Sequence, residues 1–249
     1  SVLIGALQRR VASFNAEGTA SALATVATLA TLSLVLPTFT TSRSGPEFSP
    51  AQLAFAAVAS IALYALFVVV QTVRHRDYFL PVGTAGGDDA EDHAPEPSDR
   101  QTLASLGLLL VALVAVVGLA KIESPAIEDA VGAIGAPQSA VGVVIALLVL
   151  MPETLAAVRN ARRGRVQTSF NLAFGSAMAS IGLTIPAIAI ASIWLEGPLV
   201  LGLGATQMVL LALTAVVGAL TVLPGRATIQ EGGVHLVLFG AFLFLALNP

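Results

Sequence analysis

The segment Leu147-Leu-Val-Leu-Met-Pro-Glu-Thr-Leu-Ala-Ala-Val158 places a proline and a carboxylate side by side within a long apolar run. This run is one of several that are long enough to cross a hydrocarbon core of roughly 30 Å as a helix. Glu153 is the only Asp or Glu inside any of them. A charge at such a depth is costly unless it meets water, a cation or a proton, so an intramembrane acid indicates a functional site.

Pro152 adds a second feature to this site. Because proline has no N–H, a continuous helix leaves the carbonyl oxygen of Leu148 without its usual partner. An anionic oxygen and a freed carbonyl oxygen one turn apart suit a hard cation. The alternative is that Glu153 lies near the helix end and only pairs with Arg159 or Arg162.

The composition predicts an all-α polytopic membrane protein. Of its 249 residues, 56% are hydrophobic and 11% are charged, and the mean hydropathy is +0.87, far above that of a soluble domain. Zero cysteines exclude disulfides, thiolate metal sites and Cys nucleophiles. We expect seven full transmembrane helices, near 19–38, 51–72, 103–121, 137–160, 166–193, 200–223 and 232–248.

The chain begins with a short apolar segment, 1–7, followed by Gln-Arg-Arg. Seven residues are too few to span a bilayer, and the segment lacks the layout of a signal peptide. We interpret it as an N-terminal helix stub, the last two turns of a helix whose beginning is missing.

Basic residues predict the orientation, because cytoplasmic loops retain Arg and Lys. If the loop 159–165 is cytoplasmic, strict alternation leaves only Arg43 and Lys121 on the opposite side. The remaining ten basic residues then fall in 8–18, 73–102, 159–165 and 224–231. The C-terminus is predicted to be extracytoplasmic, and the Arg-rich, Ala-rich composition favours a bacterial inner membrane.

A hydrophilic stretch divides the chain into 1–72, 73–102 and 103–249. Its clustered like charges predict a flexible cytoplasmic linker, and its spacing matches no EF-hand loop. Its acids are Asp77, Asp88, Asp89, Glu91, Asp92, Glu96 and Asp99. On either side, Gly18 to Pro37 and Gly204 to Pro224 mark similar spans, so we expect 1–72 and 103–249 to be an incomplete first and a complete second copy of an inverted repeat.

The short basic loop between 137–160 and 166–193 predicts an antiparallel hairpin centred near Arg162. Glu153 and Asn171 are each nine residues from that centre and should lie at equal depth, while Ser176 lies opposite Leu148. A carboxylate, an amide, a hydroxyl and a carbonyl oxygen would then form a cage for a hard cation. Gly175 fits either this site or close helix packing, and Gln167 should cap a helix or face water.

Several of these segments resemble the calcium/cation antiporter superfamily, most closely its bacterial ChaA-type calcium:proton branch. They are Met151-Pro-Glu153, the Arg-rich loop, Val166-Gln-Thr-Ser-Phe-Asn171-Leu-Ala-Phe-Gly175-Ser176 and Leu183-Thr-Ile-Pro186. The resemblance implies an eleven-helix, inverted-repeat exchanger in which Glu153 is the acid of the second repeat, facing Asn171 and Gly175-Ser176. The family's first-repeat acidic helix would precede Ser1, and that missing repeat is needed for a complete site.

We therefore expect a cation:proton antiporter, with Ca²⁺ and H⁺ competing for Glu153 during alternating access. Glu153, Asn171 and Ser176 would bind the metal ion directly. Exchange of Na⁺ or K⁺ for protons and a truncated, non-transporting fragment are the alternatives. An enzyme is disfavoured, because the spans contain no paired Asp residues and the chain has no His-Glu-x-x-His motif. We expect no cofactor and no nucleic acid, only inorganic cations, protons and the lipid bilayer as partners.

The orientation can be tested by labelling single cysteines, since the chain has none of its own. Cysteines in 159–165 and 80–100 should react with a membrane-impermeant maleimide only from the cytoplasmic side. Those in 123–135 and at the C-terminus should react only from the other side. Labelling of 80–100 and 123–135 from the same side would contradict the helix count.

Overall fold

The structure is a computed structural model that describes residues 1–80, 98–135, 137, 139–194, 197 and 199–248. Within these ranges almost all of the chain is helical. The helices are, in chain order, α1 (Val2–Arg9), α2 (Ala16–Ala30), α3 (Leu36–Phe39), α4 (Pro50–Val69), α5 (Asp99–Ala133), α6 (Ser139–Arg162), α7 (Val166–Ala191), α8 (Ala205–Val222) and α9 (Ile229–Leu247).

Seven helical stretches of the described part are long and apolar enough to cross a membrane. This confirms the predicted all-α polytopic membrane protein with seven spans. The largest difference is in α5, which continues through Pro125 to Ala133, whereas the sequence predicted a span ending near residue 121. The short apolar segment at the start of the sequence forms helix α1, which ends at Arg9 and is followed by Arg10 with a positive φ of 64°.

Two of the spans change their winding near one end. A π-helical turn, Thr31–Val35, joins α2 to α3, so that Ala16–Phe39 forms one span. Pro37 follows this turn, and because it has no N–H it leaves the carbonyl of Ser33 without the usual helical donor. A second π-helical turn, Val70–Arg74, ends the span of α4.

Two short strands were not predicted. Strand β1 (Ala12–Ser13) pairs antiparallel with β2 (Arg226–Ala227), in the register that places Ala12 opposite Ala227. The pair ties the segment before α2 to the segment after α8. Two-residue strands carry no alternating pattern that a sequence reading could detect.

The chain forms two compact units, of which the first comprises Ser1–Val82 and Pro152–Phe242. Helix α7 is central to this unit and packs against α2 and α4. Its residues Val166, Met178 and Ile185 each belong to a different one of the three buried apolar clusters. Helix α7 therefore holds the unit together along most of its length.

The second unit comprises Gly83–Met151 and Leu243–Pro249. Its described part contains α5, the first half of α6 and the end of α9. Ser139 at the start of α6 donates a hydrogen bond from its Oγ to the carbonyl of Ala246, at 2.6 Å.

Both described ends of the predicted linker are folded. At its start, Arg76–Phe79 forms a 3₁₀ turn in which Phe79 is buried. At its end, Ser98 caps α5 through a reciprocal pair of hydrogen bonds with Gln101. The central acids of the predicted linker lie outside the described residues: Asp88, Asp89, Glu91, Asp92 and Glu96.

Neighbouring glycines in α9 test the packing of the first unit. A methyl group on Gly232 would lie 2.7 Å from the Cα of Leu3, whereas one on Gly233 would meet nothing within 4 Å. Gly232→Ala should therefore lower the free energy of unfolding by about 1–3 kcal/mol. Gly233→Ala should leave it unchanged or raise it, because alanine favours helix. Equal thermal unfolding midpoints for the two variants in detergent would contradict this packing.

Candidate functional site

An open cavity of about 510 Å³ lies beside α7 in the first unit. Four of the residues predicted from the sequence line it, namely Glu153, Asn171, Gly175 and Ser176. Its remaining walls are Leu172, Ala179 and Ser180. The cavity thus combines one carboxylate with an amide and two hydroxyls, and the small residues of α7 leave the space open.

Glu153 carries the charge of this cavity. Its Oε2 is buried and has no hydrogen-bond partner among the described residues. The predicted alternative, an ion pair with Arg159 or Arg162, is not formed, and the described ion pair joins Arg43 and Glu47 at 3.7 Å. A buried carboxylate oxygen without a donor is unfavourable unless it takes up a cation or a proton.

The turn between α6 and α7 brings Glu153 to the cavity. Gly164 adopts a positive φ of 77° in this turn, a conformation that glycine tolerates without strain. A methyl group there would also meet the guanidinium of Arg9. One helical turn after Glu153, the carbonyl of Ala157 accepts a buried hydrogen bond of 2.8 Å from Ser169 Oγ. The bond from Ser169 to Ala157 joins the two helices near this turn.

Both the nitrogen and the oxygen of the Asn171 side-chain amide form hydrogen bonds. Its Nδ2 donates to the carbonyl of Phe79 at 2.6 Å, and its Oδ1 accepts from Gln167 Nε2 at 2.9 Å. An amide oxygen has two lone pairs, so Oδ1 retains one for a ligand in the cavity. The Asn171 side chain is therefore held in place and does not rotate freely.

Gln167 does not face water. Its side chain is 1% exposed, and its Oε1 accepts a 2.7 Å hydrogen bond from the backbone N–H of Asn15. Asn15 is the residue that precedes and caps α2. Of the two predicted roles, capping agrees with the structure, because Gln167 satisfies a backbone donor at the start of that helix.

Pro152 lies inside α6 without breaking it, since the helix is continuous from Ser139 to Arg162. The predicted continuity of the helix through the proline is therefore present. Neither Pro152 nor Leu148 is among the residues that line the described cavity.

The site is poor in charge for a permanently bound metal. Among the described residues, no group of three or more His, Asp or Glu side chains could hold a metal ion. One carboxylate with neutral oxygens binds a hard cation less tightly than a cluster of acids does. Such a donor set suits an ion that enters and leaves.

The fold and this site define a multi-pass membrane protein with an acidic residue in a cavity beside one of its spanning helices. Residues 104–248 match the family model of the sodium/calcium exchanger protein. The chain belongs to this family.

Two curated relatives extend the comparison. The chain is 44% identical over 252 residues to the "Putative ionic transporter y4hA" of Sinorhizobium fredii, which covers 100% of this chain and 66% of the relative. It is 31% identical over 212 residues to the sodium-potassium/proton antiporter ChaA of Escherichia coli, covering 85% of this chain and 58% of that protein. The chain therefore spans about three fifths to two thirds of these relatives. No solved structure matches it significantly.

Sequence reasoning missed two contributors to the site. The carbonyl of Phe79 binds Asn171 from a segment that was predicted to be a solvated linker. A backbone carbonyl has no signature in the sequence, and although Phe79 is buried, its apolar neighbours Tyr78 and Leu80 are exposed. The sequence singles out Gln167 but does not show its partner Asn15, which is 152 residues away in the chain.

Gly175 offers a test of the cavity itself. A side chain at this position would meet nothing within 4 Å and would project into the space beside Glu153. Gly175→Leu should therefore reduce cation uptake into vesicles by about tenfold or more without lowering the unfolding midpoint, because leucine also favours helix. Gly240→Leu in α9, another helical glycine facing open space, is the matched control. Equal uptake by the two variants would show that ions do not use this cavity.

Proposed function

We propose that this protein exchanges a cation for protons across a bacterial inner membrane, with Ca²⁺ as the cation and Glu153 as the site that cation and proton share. The observation that carries the proposal is the buried Oε2 of Glu153, which lies on the wall of a polar cavity and has no partner among the described residues. A carboxylate in this state has two ways to be stabilised, by binding a cation or by taking up a proton.

The depth of Glu153 supports a transport site. Glu153 is nine residues before Arg162, which at 1.5 Å per residue corresponds to about 14 Å along the helix axis. If the basic loop lies at the cytoplasmic surface, Glu153 is near the middle of a hydrocarbon core of roughly 30 Å. Secondary transporters bind their ions at this level, where either side of the membrane can be given access in turn.

The neutral oxygens of the cavity provide further ligands for the cation. A cation that leaves water loses part of its hydration shell, and the hydroxyl of Ser176 and the Oδ1 of Asn171 replace some of those oxygens. When a proton occupies Glu153 instead, the carboxyl group is neutral and no longer attracts the cation. Cation and proton therefore exclude each other, and each crosses only after the other has left.

Alternating access makes the exchange vectorial, because the site opens to one side of the membrane at a time. The sequence resemblance assigns the two halves of the exchanger to 1–72 and 103–249, and it assigns a second carboxylate to the family's first repeat. A divalent ion is better neutralised by two carboxylates than by Glu153 alone. In the working exchanger we expect the two acids to act on the same ion.

Exchange of Na⁺ or K⁺ for protons is the second candidate. It is favoured by the name of the Escherichia coli relative, a sodium-potassium/proton antiporter. A single carboxylate with hydroxyl and amide oxygens is also sufficient charge for a monovalent ion. Competition between ⁴⁵Ca²⁺ and Na⁺ or K⁺ for uptake into vesicles separates the two candidates.

The substitution Glu153→Gln tests whether cation and proton share this site. The variant is made in the full-length protein that the gene encodes. Glutamine keeps the size and one oxygen but can neither carry a negative charge nor exchange a proton at neutral pH. We expect cation-driven proton movement and proton-driven cation uptake to be lost together in proteoliposomes. Glu153→Asp should keep partial activity with altered affinity, because the charge is retained but withdrawn by about 1.5 Å.

Ser180→Ala is the control for this pair. It changes another cavity residue but leaves the carboxylate in place, and it should retain most of the exchange activity. Wild-type rates in the Gln variant would show that Glu153 is not the shared site.

A further inference from the structure

Three hydrogen bonds form a continuous chain through the site. The backbone N–H of Asn15 donates to Gln167 Oε1 at 2.7 Å, and Gln167 Nε2 donates to Asn171 Oδ1 at 2.9 Å. Asn171 Nδ2 then donates to the carbonyl of Phe79 at 2.6 Å. The chain connects the start of α2, two successive turns of α7 and the turn Arg76–Phe79.

The two ends of the chain determine its direction. A backbone N–H only donates and a backbone carbonyl only accepts. Reversing either amide would therefore place donor against donor or acceptor against acceptor. Because Gln167 is 1% exposed, water does not reach it to compensate for such a mismatch. Asn171 is thus held with Oδ1 towards Gln167 and Nδ2 towards Phe79.

The turn Arg76–Phe79 is docked by further contacts. The ring of Phe79 is 6% exposed and packs edge-on against Phe67, with ring centroids 5.7 Å apart. Gly18 lies so close to the backbone of Tyr78 that a methyl group there would clash with its carbonyl. The carboxylate of Glu17 raises the pKa of Tyr78 by its charge and by a hydrogen bond to the hydroxyl. The turn is therefore part of the packed unit.

We propose that Gln167 is a positioning residue for the cation site, which holds Asn171 so that the same amide presents an oxygen to the cavity and fastens the turn Arg76–Phe79 beside it. This inference rests on the proposed function, since it concerns how the cation ligand is held. Gln167 itself touches no ion. It acts through Asn171.

A cation on Asn171 Oδ1 has a consequence for the turn. Charge at the oxygen polarises the amide and makes its N–H a stronger donor, which strengthens the bond to Phe79. By linkage, whatever docks the turn also increases affinity for the cation. Cation binding and docking of Arg76–Phe79 therefore stabilise each other.

The test compares Gln167→Met with Thr19→Val in the protein as its genome encodes it. Methionine keeps the volume of glutamine but neither accepts from Asn15 nor donates to Asn171. Thr19→Val removes a hydroxyl 3.4 Å from Gln167 Nε2, too long for a strong hydrogen bond, and leaves the chain intact. The readouts are amide hydrogen exchange of residues 74–80, with and without CaCl₂, and the KM and kcat for ⁴⁵Ca²⁺ uptake into vesicles.

For Gln167→Met we expect KM to rise about tenfold with kcat changed by less than about twofold, and exchange of residues 74–80 to accelerate by about tenfold. CaCl₂ should slow that exchange in the wild type and in Thr19→Val but not in Gln167→Met. Asn171→Asp, which still accepts from Gln167 but does not donate to Phe79, should also accelerate exchange. If Gln167→Met does not fold, Gln167→Asn, which is one methylene too short to bridge, should give the same shifts.

The proposal is overturned if Gln167→Met matches Thr19→Val in both readouts, or if it lowers only the unfolding midpoint. It is also overturned if CaCl₂ protects residues 74–80 equally in both variants. Failure of the wild type to transport any cation would instead contradict the proposed function. The CaCl₂-free exchange comparison would still decide whether Gln167 fastens the turn.

Discussion

The buried Oε2 of Glu153 has no donor among the described residues. The residues around it leave this oxygen without a permanent partner. A nearby arginine would neutralise the carboxylate, whereas full exposure would hydrate it. Neutral oxygens and small residues on α7 avoid both outcomes. The resulting cavity places one carboxylate among neutral oxygens and small residues, and in the function proposed above this donor set would let an ion bind and leave.

Helix α7 both lines the open cavity and packs into the apolar core of the first unit. One face carries Asn171, Gly175, Ser176, Ala179 and Ser180, spaced one to four residues apart, and lines the cavity. Another face carries Val166, Met178 and Ile185, which join three separate apolar clusters. Because these clusters bury the second face along most of the helix, the first can remain poorly packed. The same rigidity allows Gln167 to hold Asn171 in one orientation.

Polar groups connect the cavity to segments outside the spanning helices. Asn171 reaches the carbonyl of Phe79, and Gln167 reaches the backbone of Asn15. Gln167 and Phe79 are buried, so breaking either bond leaves an unsatisfied group inside the protein. The site is therefore sensitive to the placement of the turn Arg76–Phe79, and this turn leads directly into the acidic stretch of the chain.

The sequence by itself determined the seven spans, the short helix at residues 2–9, the turn between α6 and α7 and the grouping of Glu153 with Asn171. These features follow from hydropathy, turn length and equal distance from a loop, all of which are properties of contiguous residues. Only the tertiary structure decided that Gln167 is buried and that the carbonyl of Phe79 accepts a hydrogen bond from Asn171. Residues 15, 79, 167 and 171 come together through the packing of separate elements, and backbone partners leave no mark in the sequence.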